Sequence, residues 1–87
     1  MKVAVWDTYV VRNDGSRMHF DIVVPVALKD AMQIYSFGKQ YLAGKNEDGN
    51  KLSAEECSFC HIESAGEDII KSIEAKGYHI IEMEGCE

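Results

Sequence analysis

Two apolar runs open the chain, "KVAVWDTYVV" over Lys2–Val11 and "RMHFDIVV" over Arg17–Val24. Both are rich in valine, isoleucine and aromatic residues, which suit a pleated, half-buried surface. Between them "RNDGS" carries an Asp14-Gly15 pair, a strong short-range hairpin signal, so the runs predict an antiparallel strand pair. With Asp14 and Gly15 as the two turn residues, Val3, Val5, Asp7 and Tyr9 share a face with Met18, Phe20, Ile22 and Val24, because side chains alternate along a strand. That face is the expected core. The other carries Trp6, Thr8, Val10, His19, Asp21 and Val23, and Trp6, Val10 and Val23 are candidates for an apolar patch. A three-residue Asn13-Asp14-Gly15 loop would change these cross-strand partners.

Pro25 closes the second strand, since it has no amide to donate to a ladder. Leu28, Ala31, Met32, Tyr35 and Leu42 then recur at steps that include three and four residues, predicting a helix from Ala27 to about Ala43, with Gly44 suited to its stop. "KNEDGN" (Lys45–Asn50) reads as a polar loop whose acids lack the ligand spacing of a calcium hand. "KLSAEEC" (Lys51–Cys57) is assigned to a short strand. Ser64 followed by Glu67 has the form of a capping box, so a second helix is expected from there. Ile69, Ile70 and Ile73 form its buried stripe and Gly77 its left-handed stop. "YHIIEM" (Tyr78–Met83) is the last strand. The order β-β-α-β-α-β predicts an α+β fold of two layers, with both helices packed on one face of a mainly antiparallel sheet.

A length of 87 residues fits a single domain, 1–87, of the size at which a metal or self-association often supplements the core. Nine Lys and Arg against fifteen Asp and Glu give a formal charge of -6, which repels nucleic acid and anionic lipid. No stretch is long enough to cross a membrane and none reads as a signal peptide. With an odd count of three cysteines, the expected setting is reducing cytoplasm.

Cys57-Ser58-Phe59-Cys60-His61 is the chemically loaded motif. C-x-x-C-H is the spacing of covalent haem, yet haem attachment is usually assembled outside the cytoplasm, and haem is disfavoured. A dithiol redox pair needs a lowered thiol pKa, and Glu55, Glu56 and Glu63 work against one. Zinc is the best functional reading, because two cysteines at this spacing converge on one centre. Its remaining ligands would come from Cys86, His61, His79 or His19, Cys86 being preferred. The plain alternative is that Cys57 and Cys60 are small buried residues beside Phe59.

His19 and Asp21, two apart on one strand face, suggest an imidazole oriented by a carboxylate, though no serine accompanies them to make a hydrolase triad. Asp7 is the other oddity, a carboxylate on the face expected to be core, where it needs donors. The chain offers no phosphate cradle, so a non-enzymatic domain is favoured, with a homodimer or a protein partner as the alternative use of its surface.

"DTYV" (Asp7–Val10), "MHFD" (Met18–Asp21), "EECSFCH" (Glu55–His61), "GY" (Gly77 and Tyr78) and "MEGC" (Met83–Cys86) together resemble the domain of unknown function 2024 family, small bacterial proteins. The pieces span nearly the whole chain. The resemblance implies a small α+β fold with two helices on a mainly antiparallel sheet, and no particular activity. It also groups His19, Cys57, Cys60, His61 and Cys86 in one family pattern.

Overall fold

The computed structural model describes residues 1–47 and 51–86. Its elements are β1 (Lys2–Val11), β2 (Arg17–Pro25), α1 (Ala31–Gly44), β3 (Cys57–Ser64), α2 (Glu67–Lys76) and β4 (His79–Glu84). The four strands form one antiparallel sheet in the order β3-β1-β2-β4. The α+β class and the element order are those the hydrophobic pattern predicts.

The hairpin register differs from the two-residue expectation. Arg12 closes the turn against Ser16, its amide donating to the Ser16 carbonyl, so three residues, Asn13, Asp14 and Gly15, form the loop. Gly15 has φ of 89°, a conformation that costs an L side chain roughly 1–2 kcal/mol. The Asp14 carboxylate accepts from the Ser16 amide and hydroxyl, and this local bond favours the longer turn. The extra residue shifts every pair by one and swaps the faces of β2 relative to β1. Ala4, Trp6, Thr8 and Val10 lie opposite Val24, Ile22, Phe20 and Met18, and Asp7 lies opposite Asp21.

Both faces of the sheet are therefore partly apolar, and each takes one helix. On the first face Ala4, Val10, Met18, Phe20, Ile22 and Val24 pack with Ile34, Phe37 and Leu42 of α1. On the second, Val3, Val5 and Val23 pack with Ile69 and Ile73 of α2. The helices thus lie on opposite faces, not on one, because the apolar residues of β1 and β2 divide between the two parities. Val10 and Val23 are buried on different sides, so the expected Trp6, Val10 and Val23 patch does not form. The exposed apolar residues beside Trp6 are Phe59 and Ile62, each about half accessible.

Three boundaries move for local reasons. Helix α1 starts at Ala31, because Asp30 accepts a hydrogen bond from the Met32 amide and so caps it. Helix α2 starts after Gly66, not Ser64, which is the last residue of β3. The third strand is not "KLSAEEC": Ser53 to Glu56 form a turn in which Glu56 accepts from the Ser53 amide and hydroxyl, and the strand begins at Cys57. The C-x-x-C-H motif is thus itself an edge strand. Gly77 ends α2 in the left-handed conformation, as expected, with φ of 92°. Of the expected polar loop, residues 48–50 lie outside the described residues. Glu47 is buried and holds the hairpin, accepting from the Asn13 amide at 2.7 Å and facing Arg12.

Candidate functional site

Alternation along a strand sends Cys57 and Cys60 to different sides of the sheet. Cys57 pairs with Thr8 and is 1% exposed on the α1 face, its sulfur accepting from the Thr8 hydroxyl at 3.4 Å. At Cys60 the ladder slips: Trp6 pairs with Phe59 and Val5 with His61, which leaves Cys60 as the extra residue of a β-bulge. Cys60 keeps to the α2 face, against the Asp7 carboxylate, and the bulge turns His61 to that face as well, with the Cys60 sulfur 3.3 Å from His61 Nδ1. The two sulfurs do not converge.

The remaining candidates are spread further. Cys86 follows β4, which pairs with β2 at the edge of the sheet opposite β3, so it does not approach the motif as it would if β4 lay beside residues 51–57. Its buried thiol donates to the carbonyl of His19 at 3.3 Å. His79 Nδ1 lies 2.9 Å from the Ser72 hydroxyl of α2. His61 is exposed on the edge strand, with Nε2 3.7 Å from Glu63.

What the fold does assemble lies on the α2 face, next to the half that α2 covers. The register places Asp7 directly across from Asp21 and Tyr9 directly across from His19. His19 Nε2 sits 3.6 Å from one Asp7 oxygen and 3.7 Å from one Asp21 oxygen. One ligand atom from each of Asp7, His19 and Asp21 falls within 4.8 Å of the others. The Tyr9 ring stacks on the His19 ring at 4.1 Å and 11°, and the Arg17 guanidinium lies 4.6 Å from the Tyr9 ring centre. This stack fixes the imidazole so that Nε2 points at the carboxylates.

The arrangement is unfavourable as a purely structural feature. Like charges directly opposite on neighbouring strands destabilise a sheet, and here both are carboxylates. Asp21 is only 8% exposed, and its Oδ1 and the Nε2 of His19 are buried without a hydrogen-bond partner. Burial, reinforced by a hydrogen bond to Asp7 and by its charge, pushes the Asp21 carboxyl up to about 6. Asp7 moves the other way, held below the ordinary value chiefly by the hydrogen bond from Asp21. The pair therefore shares a proton over one acidic, unsatisfied centre. Burial raises the Cys57 thiol, and desolvation together with Asp7 and Asp21 raises Cys60, an environment that disfavours a reactive thiolate on either.

The sequence pairs His19 with Asp21 on one strand face, but a two-residue turn puts Asp7 on the other face. The Asp14-to-Ser16 bond was the signal for the longer loop. The bulge beside Cys60 leaves no mark in the alternation of the sequence.

With this geometry in view, comparison with known proteins bears on the whole chain. The family described as Domain of unknown function (DUF2024) matches residues 1–83 of the 87. The chain belongs to this family. It is also similar to the NMR structure of protein NE1680 from Nitrosomonas europaea, a Northeast Structural Genomics Consortium target, at 41% identity, with 100% of each chain covered and a TM-score of 0.86. No curated protein matches it. The family fold is therefore that of a small α+β domain, and its description carries no activity. Among the described residues, no helix is long and apolar enough to cross a membrane.

Proposed function

We propose that this domain binds a divalent transition ion of the zinc class through Asp7, His19 and Asp21. The observation that carries the reading is the buried, unsatisfied pair of ligand atoms, Asp21 Oδ1 and His19 Nε2, aimed at one point beside Asp7. A cation there would answer both orphaned atoms and would cancel the repulsion of the cross-strand carboxylates. Imidazole and carboxylate are ordinary zinc ligands. Tyr9 would serve as the positioning group for the imidazole, as outer partners do in metal sites. The reading keeps zinc, expected from the C-x-x-C-H motif, and moves its centre from the Cys57 and Cys60 pair to the cluster on β1 and β2. It asks for no enzymatic step.

The test is thermal unfolding of untagged protein with zinc and with chelator. Zinc at about one hundred times its dissociation constant should raise the midpoint by on the order of 10 °C or more, since that excess contributes about 2.7 kcal/mol in a domain of this size. Asp7→Asn and His19→Gln should lose the rise while remaining folded. An unchanged midpoint in the native protein, or a rise that both variants keep, would remove the proposal.

A further inference from the structure

We infer that Cys60 is the fourth ligand of this site, so that the ion it selects is thiophilic, zinc or cobalt(II) in preference to magnesium or calcium. The inference rests on the metal reading above and adds a separate observation, the placement of Cys60 against Asp7 with His61 beside it. Strict alternation would aim Cys60 and His61 to opposite faces. Alternation from Phe59 puts Cys60 on the face of Asp7, His19 and Asp21, and the slip between the Phe59 and His61 pairs brings His61 to that same face beside it. Bulges re-aim side chains in this way beside functional sites.

Cys60 stands outside the triad of ligand atoms but touches one of them, Asp7, and it is exposed on the edge strand. On binding, the thiol proton leaves to solvent, a sulfur-to-metal bond forms and one water leaves the ion. The set becomes one sulfur, one imidazole nitrogen and two carboxylate oxygens, a tetrahedral closure typical of a binding site and not of an open catalytic one. His61, with Nδ1 3.3 Å from the Cys60 sulfur, is placed to donate to the resulting thiolate and to hold its rotamer. Hard cations that prefer all-oxygen shells gain nothing from the sulfur.

Cobalt(II) titration of full-length protein under reducing conditions tests this, because a thiolate ligand gives an intense near-ultraviolet charge-transfer band that nitrogen and oxygen ligands do not. The native protein should develop the band, Cys57→Ser should keep it, and Cys60→Ser should lose it while still binding cobalt through the other three. Zinc affinity of Cys60→Ser should fall by at least the roughly 10–100-fold that loss of an outer partner costs. Cobalt binding with visible bands but no charge-transfer band would overturn the Cys60 assignment and leave the three-ligand site standing. A band that Cys57→Ser removes would overturn it too. Absence of any cobalt binding would overturn both the assignment and the site beneath it.

Discussion

Asp21 is the residue on which the site and the stability of the fold pull in opposite directions. In the folded protein it keeps its proton up to about pH 6, whereas in the unfolded chain it loses it near the ordinary 3.8. The stability it confers is therefore complete below about 3.8 and is lost as the pH rises through about 6. At neutral pH a buried carboxylate faces Asp7 with an unanswered oxygen. Asp21→Asn should accordingly stabilise the metal-free protein at pH 7 by about 1–2 kcal/mol and flatten the fall in stability between pH 4 and 7. Denaturant unfolding in chelator across that range measures it. The same variant should bind zinc poorly. A variant less stable than the native protein at pH 7 would mean that Asp21 is a satisfied structural carboxylate. Strain of this kind at a ligand cluster is where local design rules are expected to give way to function.

At the scale of elements, one residue in the hairpin loop decides whether a site exists. A two-residue turn would put Asp7 on one face and His19 and Asp21 on the other, because a slip of one inverts every side chain of a strand. The three-residue loop unites them. It depends on Gly15 at φ of 89° and on Asp14 holding Ser16. Gly15→Ala should destabilise the domain by about 1–2 kcal/mol with the register kept, checked by denaturant unfolding and by the Asp7-to-Asp21 strand pairing in nuclear Overhauser contacts. The first, second and last strands, both helices and the order of elements were legible because valine and isoleucine repeat at strand and helix steps. The register was not, since "NDG" supports loops of either length and both parities of β1 and β2 carry apolar residues. The same ambiguity hid the division of the helices, Phe37 going to one face and Ile73 to the other. The third strand, expected at Lys51–Cys57, lies one segment later for a chemical reason: Cys57 to His61 has the form of a ligand knuckle, although Phe59 and the adjoining Ile62 are good strand formers.

For the whole molecule, a sheet covered by one helix on each side leaves part of the α2 face open, and the polar residues of β1, β2 and β3 gather there. The core that supports it is small, with Phe20, Met18, Ile22 and Ile34 among its largest fully buried side chains, so an ion tying three strands would add materially to stability. The net charge of -6 favours the approach of a cation from any direction. The central claim is that the ion centre lies on β1 and β2 and not across the C-x-x-C-H motif to Cys86. Its most direct test is the nitrogen-15 spectrum of the three histidine rings during zinc titration of the reduced protein. The account expects His19 Nε2 to move to a metal-bound shift at one equivalent while His79 stays unchanged and His61 keeps the pattern of an unligated ring. A metal-bound shift on His61 or His79 with His19 unmoved would contradict it.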